Sequence, residues 1–298
     1  DVLYEQLCAQ EMDTLFNEIE LPLCEVLADM EYEGFAVNRD GVADFGRMLD
    51  EGIAEVTEEI YRLAGRRFNI NSTRELGEIL FEELSLPAGK KTKTGYSTSA
   101  EVLEEIAALH EIVPAVLEYR KLTKLSSTYV TGLLKVIAED GRVHSTFNQT
   151  ETRTGRISSS EPNVQNIPVR TKLGSEMRRF FVARERYVLV DADYSQIELR
   201  LLAHIAEDEN MIRAFNEKAD IHTETAAQVF GLSADMVPPE LRSRAKAINF
   251  GIVYGIGAYS LSKQISVPVR EAREYIQSYL KTYSGVAACL LYTSDAAD

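Results

Sequence analysis

The chain has 298 residues, 45% hydrophobic and 27% charged, an ordinary balance for a globular protein of two or three packed units. No apolar run approaches the roughly 18 residues of a membrane helix, and three scattered cysteines without a CxxC pair argue against a zinc site or a disulfide framework. The formal charge of −15 is uneven: residues 1–60 hold 17 acidic and 2 basic side chains, whereas residues 142–186 hold 9 basic and 4 acidic ones, a local excess that fits either a solvated face or a polyanion partner.

The opening DVLYEQLCAQEMD is acidic and lacks a signal-peptide layout, so a reducing cytoplasmic setting is expected. Residues 1–30 read as helical, with Leu15, Ile19, Leu23, Val26 and Leu27 at three- and four-residue spacing. GFAVN is a short strand, followed by a long amphipathic helix opened by Asn38 or Asp40. Ser72 and Glu75 have capping-box spacing at the start of another helix. The Gly/Lys/Thr/Ser-rich stretch 87–99 is an exposed loop, and helices resume at 100–108 and 114–138.

Near residues 135–140 the texture changes from helical to mixed α+β. GRVHSTFNQTETRTGRISSSEPNVQNIP reads as a strand and an ordered loop, RYVLVDAD as a strand, and SQIELRLLAHIAED and DIHTETAAQVFG as helices. PPELRSRAKAINFGIVYGIGAYSLSKQI is predicted as one long helix with glycines in its later part, and PVREAREYIQSYLKTY as the next helix. The terminal AACLLYTSDAAD does not read as a helix continuation.

Three constellations carry chemistry. Alternation from Tyr187 to Asp193 places Asp191 and Asp193 on one face of the predicted strand, and a carboxylate at a strand-to-helix junction suits a hard cation such as Mg²⁺. Ser195 is the expected N-cap of the following helix, with Glu198 at its N3 position, where Glu198 either completes a capping box or serves a site. On the later helix Arg242, Lys246, Phe250 and Tyr254 recur every four residues, a stripe of two cations and two aromatics roughly 18 Å long. Such a stripe is either an amphipathic face with snorkelling cations or a seat for a polyphosphate and a stacked base. Gly251, Gly255 and Gly257 each cost a helix about 1 kcal/mol, which is explicable where another backbone, base or ligand approaches. Finally, RTGRISSSEPNVQNIPVR (153–170) mixes arginines with Ser, Asn and Gln in a loop ordered by two prolines, a set that contacts phosphates, sugars and minor-groove acceptors, or forms a polar linker.

Together, TGRISSSEPNVQNIPVR, DADYSQIELRLLAHIAEDENM, DIHTETAAQVFG and RSRAKAINFGIVYGIGAYSL resemble the family A DNA polymerases of the bacterial DNA polymerase I type, over about residues 10–287. The resemblance implies a helix-rich α+β fold, part of a right-hand polymerase. Residues 1–50 would lead from an exonuclease-like domain into the palm, 51–138 form the thumb, 139–206 the palm with its first catalytic motif, and 207–287 part of the fingers. Residues 288–298 form a tail outside the resemblance. The implied activity is DNA-templated transfer of deoxynucleotides to a primer 3′-hydroxyl by two-metal in-line displacement, by a monomer in the cytoplasm, at the nucleoid. Primer–template DNA and deoxynucleoside triphosphates are the implied partners, two Mg²⁺ ions the cofactor, and no membrane is involved.

Residue by residue, Asp193 matches the metal-binding palm aspartate, with the Tyr194 carbonyl as a second ligand. Glu198 matches the group that excludes a ribose 2′-hydroxyl. Arg242 and Lys246 match the residues that hold the triphosphate, Lys246 also aiding the departing pyrophosphate. Phe250 matches a contact to the incoming sugar and base, Tyr254 a residue at the nascent base pair, and His222 one near the β-phosphate. Arg156, Asn163, Gln165 and Asn166 match primer–template contacts, and Asp191 reads as structural. The family's second metal-binding aspartate lies in a later His-Asp-Glu motif, and this sequence has no His-Asp dipeptide. The chain is therefore expected to be a fragment inactive on its own. The alternative is a primer–template-binding module without chemistry.

Overall fold

In the computed structural model, which describes residues 2–88, 91, 92, 95–169 and 171–295, the chain forms two units, residues 1–190 and 191–298. In the first, α1 (Val2–Ala9) and α2 (Asp13–Leu15) lead to α3 (Leu21–Glu33), β1 (Phe35–Ala36) and the 26-residue α4 (Arg39–Ala64). Asn38 caps α4 by accepting from the Gly41 amide at 2.9 Å, and Gly65 ends it at φ +73, a left-handed conformation that glycine adopts without a side-chain clash. Ser72 caps α5 (Thr73–Gly77) as its spacing predicts, but Glu75 turns to the Asn69 amide at 3.0 Å instead of closing a box on Ser72.

The described part of the 87–99 stretch is a minimal antiparallel pair, β2 (Lys91–Thr92) with β3 (Gly95–Tyr96); Lys90 and Lys93 of the predicted basic loop lie outside the described residues. The helices α6 (Ala100–Ile106) and α7 (Ile112–Lys124) complete one core with the carboxyl-terminal part of α4, around Ile60, Leu76, Ile79, Leu103 and Val116. A second core joins Val42, Phe45 and Leu49 of α4 to Leu122, Leu125 and Leu133, the last on α8 (Gly132–Val136). Beyond it, β4 (Arg142–Val143) pairs with β1, and β5 (Thr146–Asn148) pairs antiparallel with β6 (Ser158–Ser160). A short helix, α9 (Lys172–Ser175), follows. The expected helix-rich α+β class is what is found.

The first unit has a titrating clasp between α3 and β4. His144 donates from Nδ1 to the Glu31 carbonyl at 2.7 Å and from Nε2 to the Asp140 carboxylate at 3.2 Å, an arrangement that only the imidazolium satisfies at both nitrogens. The bond to the Glu31 carbonyl raises the His144 pKa above its ordinary 6.5; Asp140 adds to this, and partial burial and Arg142 oppose it. Because the folded value exceeds the unfolded one, this contribution is fully present below the ordinary pKa and is lost as pH rises through the raised one. Urea midpoints of the first unit should fall between about pH 6 and pH 8, and H144Q should flatten that slope. An equal slope in H144Q would refute the clasp.

The second unit holds α10 (Ile197–Ile205), α11 (Glu209–Asn216), α12 (Ile221–Phe230), α13 (Pro239–Val253), α14 (Ala258–Ile265), α15 (Val269–Thr282) and α16 (Ser284–Asp295) around Leu199, Met211, Ile221, Ile248, Leu261 and Tyr279. Four expectations are corrected. The stretch 187–193 is extended but forms no strand: Val188 and Val190 are 80% and 85% exposed, and among the described residues no backbone ladder pairs with it. Alternating apolar residues make a strand only when a neighbour accepts their amides and carbonyls.

Ser195 is not the N-cap of α10. Gln196, at φ +56, enters the helix, and Arg200 folds back to donate to the Ser195 carbonyl at 2.9 Å while its guanidinium lies 4.5 Å from the Phe215 ring.

The predicted long helix breaks after Val253. Gly255 takes φ +69, its amide bonds the Ile252 carbonyl, and the Ile256 amide bonds the Gly251 carbonyl, the paired closure of a helix end at a left-handed glycine. A Cβ on Gly251 would lie 2.6 Å from the Ile256 methyl, so the close approach that this glycine permits is of its own chain. The terminal segment does continue a helix: α16 runs through Asp295, with an Ala/Leu-rich start that favours helix, and residues 296–298 lie outside the described residues.

Candidate functional site

Helix α13 presents Arg242 and Lys246 as exposed side chains and Phe250 half-buried, one helical turn apart along one face, with Tyr254 60% exposed at the helix cap. Asp220, the N-cap of α12, anchors the first of them. Its Oδ2 accepts from Arg242 Nε in an ion pair and from the Thr223 hydroxyl at 3.1 Å, and its Oδ1 accepts from the His222 amide at 3.1 Å. Burial works to raise the Asp220 pKa, but Arg242, the His222 amide and Thr223 outweigh it and hold the carboxyl below its ordinary value. Arg242 is thus already aimed by a counter-charge, and an incoming phosphate would compete with that carboxylate for the guanidinium.

His222 is 3% exposed and packs its ring 5.8 Å from that of Phe250. Burial lowers its pKa; Asp220 opposes, while the charges of Arg242 and Lys246 lower it further. The ring is therefore a neutral imidazole beside two cations, able to donate one N–H without adding a third positive charge. At the far end of the stripe the Tyr254 hydroxyl meets Glu198 Oε1 at 3.5 Å, the outer limit of a hydrogen bond, so the carboxylate stands at N2 of α10 against the aromatic that caps α13.

The structure accordingly brings Arg242, Lys246, Phe250 and His222 together, and Glu198 with Tyr254. Asp193 and Tyr194 are exposed on the extended approach to α10. Among the described residues no group of three acidic, histidine or cysteine side chains is placed to hold a metal. Mg²⁺ takes near-octahedral oxygen ligation through one or two carboxylates and ligand phosphates. Asp193 and the Tyr194 carbonyl give such an ion two protein oxygens beside ligand phosphates and waters, fewer than a pair of ions would take.

In the first unit the 153–170 loop is ordered by its own polar side chains. Asn163 accepts from the Gln165 amide at 3.0 Å, Gln165 donates from Nε2 to the Ile157 carbonyl at 2.7 Å, and the Val164 amide donates to Ser159 Oγ at 2.9 Å. Arg156, Asn163, Gln165 and Asn166 are all exposed. Asn163 and Gln165 spend part of their bonding capacity on loop shape, a structural role that the residue types alone did not separate from a contacting one. Arg170 lies outside the described residues. The basic surplus of 142–186 is smaller in effect than its count: Arg142 pairs with Glu33, Arg179 with Glu176 at 2.6 Å and Arg184 with Glu33 at 3.6 Å.

Sequence reasoning missed Asp220 and Asn249. Asp220 carried a signal, an acidic residue just ahead of IHTETAAQVF, which marks an N-cap. Its pairing with Arg242, 22 residues away, had none.

A sequence model of DNA polymerase family A matches residues 39–298. DNA polymerase I of Caldicellulosiruptor bescii is 53% identical over 273 residues, covering 91% of this chain and 32% of that protein. The thermostable DNA polymerase I of Thermus aquaticus is 50% identical over 277 residues, 92% of this chain and 33% of that one. The chain thus spans about a third of the length of these relatives. Among solved structures, the POL domain of Pol1 from M. smegmatis in complex with DNA primer-template and dNTP superimposes with a TM-score of 0.90 at 39% identity, over 99% of this chain and 52% of that one.

Proposed function

The chain belongs to DNA polymerase family A, and from that premise we propose that it forms the triphosphate-holding helix and part of the primer–template surface of an enzyme adding deoxynucleotides to a primer 3′-hydroxyl under template direction. The observation that carries this reading is the single face of α13, with Arg242, Lys246 and Phe250 in line and the neutral His222 ring packed on Phe250. Two cations and a neutral N–H donor match a triphosphate, and an aromatic beyond them matches a sugar and base.

In this reading Arg242 and Lys246 hold the triphosphate, Lys246 also assists the departing pyrophosphate, and His222 donates toward the β-phosphate. Phe250 and Tyr254 pack on the incoming nucleotide and nascent pair, and Glu198 excludes a ribose 2′-hydroxyl. Arg156, Asn163, Gln165 and Asn166 hold primer and template. Residues 51–138 act as thumb, 139–206 as palm and 207–287 as fingers, in a monomer working in the cytoplasm. Asp193 and the Tyr194 carbonyl would supply protein ligands to the metal.

A second reading is primer–template binding without chemistry, motivated by the absence of a His-Asp dipeptide from the sequence. We propose that the chain alone binds DNA and does not extend it. With Mg²⁺ and all four deoxynucleotides, primer extension should stay at background, while retention of primer–template falls steeply as salt rises. Template-dependent incorporation would overturn the second reading, and salt-independent or absent retention would overturn the DNA-binding assignment.

A further inference from the structure

Four side chains, each 3% exposed or less, form a continuous hydrogen-bonded line through the second unit. Tyr283 Oη lies 3.0 Å from Thr225 Oγ1, Thr225 donates to Asn249 Oδ1 at 3.1 Å, and Asn249 Nδ2 lies 3.1 Å from His222 Nδ1. Two proton arrangements fit those distances. In one, Tyr283 donates to Thr225, Thr225 to Asn249 Oδ1, and Asn249 Nδ2 to an unprotonated His222 Nδ1. In the other, every donor is reversed, the asparagine amide is turned over, and His222 carries its proton on Nδ1.

The reversed arrangement leaves the Tyr283 hydroxyl proton without an acceptor among the described residues, at a phenol only 2% exposed. Orphaning a buried donor costs its full desolvation, whereas the first arrangement pairs both hydroxyl protons and places the free His222 N–H on Nε2, an atom that is not among the fully buried unpartnered ones of the described residues. Burial also pushes the Tyr283 phenol up to about 12, so it keeps its proton.

We propose that Asn249, held by Thr225 and Tyr283, is a positioning residue that fixes His222 as the Nε2–H tautomer, directing one neutral donor at a phosphate oxygen of the bound triphosphate. The Nε2 atom makes no hydrogen bond within the described residues. The geometry explains why a buried asparagine directly precedes Phe250: the turn that shows Phe250 to the ligand turns Asn249 inward to the imidazole. The inference rests on the triphosphate reading of α13 for its ligand, but the tautomer itself does not.

The test separates the two. With ¹⁵N-labelled histidine in the full chain, long-range ¹H–¹⁵N spectra read the tautomer of His222 directly, assigned by the signal lost in H222Q. The wild type should show a neutral ring protonated on Nε2 at pH 7.5. A neutral ring protonated on Nδ1 there overturns the proposal without reference to any variant. T225V, which removes the hydroxyl holding the amide, should introduce the Nδ1–H form, and T225S should restore the wild-type pattern; an unchanged ring in T225V overturns the proposal. Titrated with a fluorescent dATP analogue, T225V should bind roughly tenfold more weakly and T225S like wild type, the loss of one well-aimed hydrogen bond. A displaced tautomer with unaltered dATP affinity would overturn the role of His222 toward the nucleotide and leave the fixed tautomer standing.

Discussion

Replacing Lys246 with alanine is expected to weaken binding of a deoxynucleoside triphosphate by about ten- to a hundredfold, since a charge-assisted hydrogen bond to phosphate contributes roughly 1.5–3 kcal/mol. Lys246 is the cleaner of the two cations to remove. It is exposed on α13, and its loss leaves the folded unit largely untouched. Arg242 is bound to Asp220, so R242A would also strip a partly buried carboxylate of its counter-charge and confuse lost affinity with lost stability. Titration with a fluorescent dATP analogue at low and high salt checks the expectation: wild-type affinity should fall with salt, and K246A should start weaker and fall less. Equal affinities at both salt concentrations would remove the triphosphate assignment from α13.

The second large effect is on stability. Replacing Gly285 with alanine should destabilise the second unit by about 3 kcal/mol, combining overpacking against backbone with a weakened bond to a charged group. A Cβ there would stand 2.5 Å from the Ala206 carbonyl oxygen and 3.0 Å from Asp208 Cα, atoms that cannot turn aside as a side chain can. The Gly285 amide donates to Asp208 Oδ2 at 2.9 Å, and Asp208 Oδ1 accepts from the Met211 amide at 3.1 Å, so one 3%-exposed carboxylate caps the starts of both α11 and α16. Pushing α16 outward breaks one of those bonds in a buried setting. Gly52, inside α4 with only a Leu122 methyl at 3.4 Å, is the contrast: G52A should gain about 0.5–1 kcal/mol. Urea unfolding followed by tyrosine fluorescence measures both; a near-neutral G285A would show that the α10–α16 joint yields.

Much of the local architecture was legible because it depends on neighbours in sequence. Ser72 was recognisable as a cap, and Asn38 as one of two candidates with Asp40, since the amides they satisfy lie three residues on. The stripe of Arg242, Lys246 and Phe250 needs only the helical repeat to align it. What failed needed partners from afar. RYVLVDAD has the alternation of a strand, yet with no neighbouring ladder it stays exposed. The glycines of FGIVYGIG were readable as places of close approach, but that Ile256 is what approaches Gly251 became visible only with the chain folded back.

The sequence by itself therefore determined the family, the helix faces and the stripe of cations and aromatics on α13, because motif order and helical period are properties of the chain alone. Only the tertiary structure decided what those residues are tied to. Asp220 aims Arg242 across 22 residues, Asn249 meets His222 across 27, and Tyr283 meets Thr225 across 58. Such pairings follow from how α12, α13 and α15 pack, and a buried polar group takes whichever partner the packing sets beside it.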